Sequence, residues 1–256
     1  MKVSIITVCF NSAKTIEDTI QSVLSQDYPE IEYIIIDGAS KDRTPEIIAT
    51  YQDQISVYLS EPDTGIYDAM NKGIARATGD IIGILNSDDV YSSASSVSTI
   101  VNAMISKEVD CAFSDLVVVD SPQSNKVLRY YNSGQFKIGR FKYGWMPAHP
   151  TFFVKASIYK KVGPYALDYK ISADYEMLIR ILWVQRASYV YLPIPLVKMR
   201  WGGVSTSSFR QILLLNQEIV RACKANGINT NLFLLMLKIP RKMLERFRPQ
   251  AKINAT

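Results

Sequence analysis

The sequence is poor in residues on which several classes of protein depend. Its 256 residues include one histidine, His149, and three widely spaced cysteines, Cys9, Cys111 and Cys223. One histidine argues against a histidine-rich zinc site and against serine–histidine–aspartate hydrolysis. An odd number of distant cysteines is typical of reduced core residues and not of a disulfide framework, which favours a cytosolic protein.

Long apolar runs and phosphate-binding glycine loops are also missing. No run approaches the ~20 residues of a membrane span. The run VSIITVCF (3–10) is too short for a secretory signal core with a cleavage site, so we expect a cytoplasmic protein. Neither G-x-G-x-x-G nor G-x-x-x-x-G-K-[ST] occurs, which argues against a Rossmann dehydrogenase and a P-loop enzyme.

Positive charge is concentrated near the C-terminus. The net charge is +5, and the stretch from Lys238 to Lys252 is basic apart from Glu245. It overlaps the segment LFLLMLKIPRKMLERF (232–247), in which Pro240 should kink a helix. Such a segment can lie on an anionic membrane surface, which would place the protein on the cytoplasmic face of the inner membrane. The alternative is a helix packed on the domain or in a homodimer.

The first half alternates between two periodicities. Apolar runs of buried-strand length alternate with segments of helical spacing, which predicts an α/β fold with a mostly parallel sheet flanked by helices. The predicted strands are 3–10, 31–37, 55–60, 80–85 and 109–115, and the predicted helices are 13–26, 40–51, 65–78 and 92–106.

The second half has a different pattern. It predicts strands at 116–120, 126–131, 149–155, 187–193 and 195–201, and helices at 172–185, 207–225 and 230–247. We divide the chain into a domain over 1–206, with halves 1–115 and 116–206, and C-terminal helices with a basic tail over 207–256.

Ligands of such sheets bind at the carboxyl ends of the strands. The run ILNSDD ends a predicted strand there with Ser87, Asp88 and Asp89. Adjacent carboxylates suit a hard cation such as Mg²⁺ or Mn²⁺, which takes oxygen ligands and substrate phosphates. The alternative is the N-terminus of the next helix, where acidic residues favour the helix dipole.

Several motifs together resemble a known family. The segments VSIITVCFN, IIIDGASKDRT, SEPDTGIYDAMNKGIARATGD and LNSDD, with the later HPTFF, ISADYEMLIR and GGVST, resemble the inverting family 2 glycosyltransferases of the GT-A fold. The likeness covers residues 2–207. It is strongest to the branch that builds bacterial exopolysaccharide, O-antigen and colanic-acid repeat units.

The resemblance implies a nucleotide-sugar donor, with a UDP-sugar expected, and roles for particular residues. Asp88 would contact the ribose, and Asp89 would bind Mn²⁺ or Mg²⁺. The other implied donor-site residues are Thr7 and Asn11 in the first loop, Asp37 at the base, Asp68 and Asn71 on one helix, and Ser87. Some have structural alternatives: Asn11 as a helix cap, Asp37 as a turn residue, and Asp68 in an ion pair with Lys72.

The acceptor side has its own implied residues. Inversion needs a base for the acceptor hydroxyl, and Asp174 matches the family position, with a helix cap as its alternative. His149, Arg200 and Trp201 are implied near the acceptor or the diphosphate, although a lone histidine is often structural. Val197 replaces the glutamine of processive synthases, which favours transfer of one sugar.

The expected acceptor is a saccharide on a polyprenyl diphosphate, and we expect no nucleic-acid partner. A sugar nucleotidyltransferase and a non-catalytic carbohydrate-binding module are the alternatives. The first would normally need a Gly-rich basic loop in place of CFNSAKT, and the second would leave the acidic residues without a role. The sugar, the acceptor and the linkage are not encoded in any motif.

Overall fold

The computed structural model describes residues 1–121, 126–201 and 209–236. Within them the strands are β1 (Val3–Cys9), β2 (Ile31–Asp37), β3 (Val57–Ser60), β4 (Ile81–Ile84), β5 (Asp89–Tyr91), β6 (Cys111–Val119), β7 (Val127–Tyr131), β8 (Phe153–Lys155) and β9 (Tyr189–Arg200). The helices are α1 (Ile16–Leu24), α2 (Thr44–Ala49), α3 (Ile66–Arg76), α4 (Ser96–Ser106), α5 (Ala156–Val162), α6 (Ala173–Ile179), α7 (Phe209–Ala225) and α8 (Leu232–Met236).

These strands form a single mixed sheet. Its order is β3-β2-β1-β4-β8-β6-β9-β5, with β7 beside β6. The first four strands are mutually parallel, as predicted. Beyond β4, strand β8 is antiparallel to both neighbours, β6 and β9 are parallel, and β5 is antiparallel to β9. The predicted α/β class is confirmed.

The core lies in two layers, one on each face of the sheet. Successive residues of a strand point to opposite faces. Ile34 and Ile36 of β2 therefore pack with α3, α5, α6 and α7, whereas Tyr33 and Ile35 pack with α1, α2 and α4. Burial on both faces explains why β1, β2 and β4 are continuous apolar runs.

Two strand predictions are corrected. The segments 109–115 and 116–120 form the single strand β6, and the strands predicted at 187–193 and 195–201 form the single strand β9. Pro193 and Pro195 suggested a break because proline cannot donate a ladder hydrogen bond. The chain accommodates them by a register shift between β6 and β9, where Asp115 pairs with Pro195.

The C-terminal helices are part of the packed structure. Ile219, Ala222 and Cys223 of α7 are buried in the same core cluster as α3 and α6. The division into 1–206 and 207–256 stays a prediction. The predicted loop 202–206 and residues 237–247 of the predicted last helix lie outside the described residues. None of the described helices is both long enough and apolar enough to cross a membrane.

Candidate active site

Hydrogen bonds connect the loops at the carboxyl ends of β1, β2 and β4. The Asn11 N–H donates to Ser40 Oγ at 2.7 Å, and the Lys41 N–H donates to Asn11 Oδ1 at 2.8 Å. The hydroxyls of Ser12 and Ser87 lie 2.9 Å apart. The loop 10–15, which contains Asn11, therefore contacts both the loop after β2 and the loop of Ser87. Asn11 and Ser87 were both predicted in the donor site.

The backbone at this edge adopts an uncommon conformation. Asn11 and Ala39 have φ values of 50° and 59°, in the left-handed region that non-glycine residues rarely occupy. Such positions persist only where surrounding contacts enforce them, and they cluster at functional sites. The cap interpretation of Asn11 is wrong, because α1 begins at Ile16 with Thr15 as its N-cap.

Two of the predicted donor residues are buried with partners of their own. Thr7 is not in the first loop: it lies inside β1, fully buried, and its hydroxyl accepts a hydrogen bond from Tyr33 at 3.2 Å. Asp37 ends β2 as predicted, but Ser40 and Ser60 donate to both of its carboxylate oxygens. A nucleotide base would have to displace one of these serines, so the base contact of Asp37 stays a prediction.

Phe10 and Asp63 lie beside Asp37 and were not among the predicted site residues. A Cβ on Gly38 would lie 2.5 Å from Asp63 Oδ2 and 3.4 Å from the Phe10 ring, so both side chains approach the loop after β2. The Phe10 side chain is 61% exposed. Its place at the end of an apolar run predicted a buried strand residue. The signals for Asp63 were its position after β3 and its place in the segment SEPDTGIYDAMNKGIARATGD.

Asp88 lies in the turn between β4 and β5, and Asp89 is the first residue of β5. The helix-terminus interpretation is wrong, because the short strand β5 follows and α4 begins only at Ser96. Asp89 is 1% exposed and pairs with Met199 of β9, and its Oδ1 has no hydrogen-bond partner within the described residues. Burial and the neighbouring Asp88 carboxylate raise its pKa well above the usual range. Burial also raises the pKa of Asp88, which is partly exposed.

The oxygens at this turn fit a divalent cation. Asn86 Oδ1 and Asp89 Oδ1 are buried and lack partners within the described residues, and a buried anionic oxygen without a donor is costly. Oxygen ligands are those that Mg²⁺ and Mn²⁺ prefer. No group of three His, Cys, Asp or Glu residues in the described ranges could hold a metal ion. The turn would therefore supply only part of a coordination shell, and a bound phosphate would have to supply more.

Arg200 lies next to this acidic turn. Its charge opposes the rise in the pKa of Asp88 and of Asp89. Its Nη2 forms an ion pair with Asp18 of α1 at 2.9 Å, whereas its buried Nε has no partner within the described residues. Trp201, the next residue, is 61% exposed. The structure thus places Arg200 near Asp88 and Asp89, and its contact with the acceptor or the diphosphate stays a prediction.

Helix α3 carries the next predicted residues, and each has a structural partner. Asp68 accepts a hydrogen bond from the Thr64 N–H at 3.0 Å and lies 3.7 Å from Lys72 Nζ, so the ion-pair alternative is present. The amide of Asn71 donates to Tyr165 O at 2.9 Å and accepts from Tyr165 N at 2.7 Å. Asn71 therefore holds the segment that precedes α6.

Asp174 lies in the first turn of α6, against α3. Its Oδ1 accepts from the Tyr175 N–H at 2.7 Å and lies 3.5 Å from the Tyr67 hydroxyl. Burial raises the pKa of Asp174, and the charge of His149 opposes that rise. A carboxylate with a raised pKa at a rigid helix start has the proton affinity that a general base requires.

His149 belongs to the same group of side chains. Its Nε2 lies 3.0 Å from the Tyr165 hydroxyl, and Tyr165 stacks on Tyr67 with ring centroids 5.8 Å apart. Burial lowers the pKa of His149, and Asp174 opposes that change. The structure thus brings His149 and Asp174 together, as expected of residues on one side of a site.

Solved structures with a similar fold bind nucleotide sugars. TarS of S. aureus in complex with UDP-GlcNAc superposes with a TM-score of 0.70 and 16% identity, over 95% of this chain and 73% of that one. The mannosyltransferase PcManGT of Pyrobaculum calidifontis in complex with GDP-Man and Mn²⁺ gives a TM-score of 0.66 and 19% identity, over 96% and 72% of the chains. The fold is that of the GT-A glycosyltransferases.

Sequence comparison is more specific. The family model for glycosyl transferase family 2 matches residues 4–162. An uncharacterized glycosyltransferase of Mycobacterium tuberculosis is 34% identical over 180 residues, which are 70% of this chain and 68% of that protein. A PGL/p-HBAD biosynthesis glycosyltransferase of Mycobacterium bovis is 29% identical over 69% of this chain and 68% of that protein. The chain belongs to glycosyl transferase family 2, and it is a glycosyltransferase.

Proposed function

We propose that this protein transfers one sugar, with inversion, from a nucleotide diphosphate sugar to a hydroxyl of a lipid-linked saccharide in bacterial surface polysaccharide synthesis. The observation that carries the proposal is Asp89 Oδ1, a buried carboxylate oxygen without a partner in the described residues. A cation would stabilise this buried carboxylate, and a divalent ion held there, when bound, would also offset the charge of a diphosphate.

The donor would lie across the loops after β1, β2 and β4. Asp88, which is partly exposed, would accept hydrogen bonds from the ribose. Phe10 is exposed beside Asp63 and would offer its ring face to the base, for which we favour uracil. A divalent ion held by Asp89, when bound, would stabilise charge on the leaving diphosphate. The neighbouring guanidinium of Arg200 would add to that effect.

The transfer itself requires one proton acceptor. The acceptor hydroxyl attacks the anomeric carbon, the bond from that carbon to the phosphate oxygen breaks, and nucleoside diphosphate leaves. Asp174 would take the hydroxyl proton, and its raised pKa favours that role at neutral pH. Val197, at the position of the processive glutamine, is fully buried in β9, which supports transfer of one sugar.

A lipid-linked acceptor would lie on the cytoplasmic face of the inner membrane. The support for this is in the sequence: the basic residues between Lys238 and Lys252 follow an apolar segment. An anionic bilayer attracts such a segment without requiring a helix that crosses it.

A donor panel tests the proposed function. The protein would be incubated with Mn²⁺ and UDP-GlcNAc, UDP-glucose, UDP-galactose or GDP-mannose, and release of nucleoside diphosphate measured. We expect slow release from one UDP-sugar, because water can replace the acceptor. Release of pyrophosphate from a nucleoside triphosphate plus a sugar phosphate would instead indicate a nucleotidyltransferase. No turnover with any donor, even with added acceptor lipid, would contradict the proposal.

A further inference from the structure

One carboxylate from α7 holds the segment that leads into α6. Glu218 is 6% exposed, and its oxygens accept hydrogen bonds from three consecutive backbone N–H groups. The distances are 2.8 Å from Lys170, 3.0 Å from Ile171 and 3.0 Å from Ser172, and the Ser172 hydroxyl adds a fourth bond at 3.0 Å. Four donors to one side chain fix the path of this segment.

The opposite side of the segment is fixed as well. The Tyr67 hydroxyl of α3 donates to Ile171 O at 2.5 Å and lies 3.5 Å from Asp174 Oδ1. The peptide groups around Ile171 are therefore held between α7 and α3. Ser172 is the N-cap of α6, and Asp174 follows two residues later.

We infer that Glu218 is a positioning residue for transfer: through the backbone of residues 170–172, it sets the position of the Asp174 carboxylate at the acceptor side of the site. The inference rests on the proposed function, because it takes Asp174 as the base. Glu218 itself would touch neither donor nor acceptor.

The ionised form of Glu218 is the one that this arrangement requires. Burial by itself would raise its pKa, but the hydrogen bonds from Lys170, Ile171 and Ser172 outweigh burial, and its pKa is lowered. A carboxylate accepts from four donors, whereas a glutamine amide carries two donors of its own. Glu218→Gln would thus set an N–H group against the backbone N–H groups and displace the segment.

This role lies outside the residues that identify the family. The family model ends at residue 162, whereas Asp174 and Glu218 both follow it. Because a misplacement of about 1 Å can reduce a rate by about 100-fold, a helix that never touches substrate can control the rate.

The test compares Glu218→Gln with wild type in release of UDP from the UDP-sugar found active in the donor panel. We expect kcat to fall about 10- to 100-fold while UDP affinity stays within twofold. The acid limb of the kcat profile should move to lower pH, because a displaced Asp174 is better hydrated and keeps its proton less tightly. Hydrogen exchange of the amides at 170–172 should become faster.

Two further variants make the result specific. Glu46→Gln removes the same charge from an exposed ion pair with Arg43, and we expect wild-type kcat and pH profile. Glu218→Asp keeps the charge on a shorter side chain, so its kcat should lie between those of Glu218→Gln and wild type. If Glu218→Gln does not fold, Glu218→Asp is compared with wild type instead, and a lower kcat with unchanged UDP affinity is expected.

Each outcome bears on one of the two claims. If wild type is active and folded Glu218→Gln has the same kcat and pH profile, the positioning role is overturned and the proposed function is left intact. An equal loss of UDP affinity and kcat would also overturn it, since it would show a general loss of structure. A wild type that turns over no donor would contradict the proposed function itself.

Discussion

At the scale of single residues, the buried carboxylates differ in what surrounds them. Glu32, Asp37, Asp115 and Glu218 are each almost fully buried, and hydroxyl or N–H groups donate to both oxygens of each. Asp89 is equally buried, but its Oδ1 has no partner in the described part of the chain. Burial alone therefore does not single out Asp89 among these carboxylates, whereas its unsatisfied oxygen does, and this supports the proposed ligand role.

Asp89→Asn should stabilise the metal-free protein at pH 7. The pKa of Asp89 is raised in the folded state, so its stabilising contribution is present at low pH and is lost as pH rises through that pKa. Removing the charge should raise the free energy of unfolding at pH 7 by about 1 to 3 kcal/mol. Thermal unfolding in a chelator, compared between pH 5 and 8, measures the effect.

The same variant should lose the Mn²⁺-dependent part of UDP affinity. Calorimetry with UDP, with and without Mn²⁺, measures this loss, and Asp53→Asn serves as an exposed control. An Mn²⁺ effect equal to that of wild type would show that Asp89 is not a ligand.

Asp174→Asn should abolish transfer without weakening donor binding. The loss of a general base typically costs about 10²- to 10⁴-fold, and the asparagine keeps the shape of the side chain. In wild type the pKa of Asp174 is raised, so kcat should fall with decreasing pH already above pH ~3.9, the pKa of an ordinary aspartate. Initial rates from pH 4 to 8 with the active donor test the loss of transfer in the variant and the pH dependence of kcat in wild type. Normal turnover of the variant would remove Asp174 as the base.

At the scale of elements, one carboxylate joins three parts of the first half. Glu32 of β2 accepts from Lys2 Nζ at 2.7 Å, Ser4 Oγ at 2.5 Å, and the Thr78 N–H and hydroxyl at 2.8 and 2.5 Å. These residues belong to the start of β1 and to the turn after α3. These hydrogen bonds thus fix the connection between α3 and β4 at the amino ends of the strands, opposite the carboxyl ends where the ligand site is proposed.

Glu32→Gln should therefore destabilise the fold at neutral pH and much less in acid. Burial would raise the pKa of Glu32, but its donors outweigh burial and lower it to about 2. Its contribution is thus present above pH ~4.3 and is lost as pH falls towards 2. We expect a loss of about 1 to 3 kcal/mol at pH 7, measured by urea unfolding, with Glu46→Gln as the exposed control. An equal loss at pH 3 and pH 7 would contradict the ionic role.

At the scale of the whole molecule, both halves of the chain contribute to the proposed site. The proposed donor loops follow β1, β2 and β4, Asp174 comes from α6, and α7 holds the approach to α6 through Glu218. Burial of Ile219, Ala222 and Cys223 fixes α7 on the same core as α3. A substitution in α7 should therefore affect the acceptor side, and hence kcat, more than donor affinity.

The proposed membrane recruitment is tested on the full-length chain. Replacing the basic residues Lys238, Arg241, Lys242, Arg246, Arg248 and Lys252 by glutamine removes the excess positive charge. We expect the full-length variant to lose most of its binding to vesicles containing phosphatidylglycerol, since each basic residue near an anionic surface contributes about 1 kcal/mol. Flotation of both proteins measures this, and equal recovery would favour packing of the segment on protein.

The fold class, the parallel direction of β1 to β4 and the family could all be predicted from the sequence. Continuous apolar runs, helical spacing and the order of several motifs are local properties, and they persist in the folded chain. β2 begins and ends where predicted, at Ile31 and Asp37. The roles of the site residues remain predictions, because no motif states what a side chain touches.

Which polar groups have partners became visible only in the folded chain. The fold buried Thr7 within β1, gave both oxygens of Asp37 to serines, and left Asp89 Oδ1 without a donor in the described residues. It also brought Glu218 to the backbone before Asp174, although the two residues are far apart in the sequence. Hydrogen bonds between distant residues depend on how helices and strands pack, and periodicity and spacing along the chain do not contain that information.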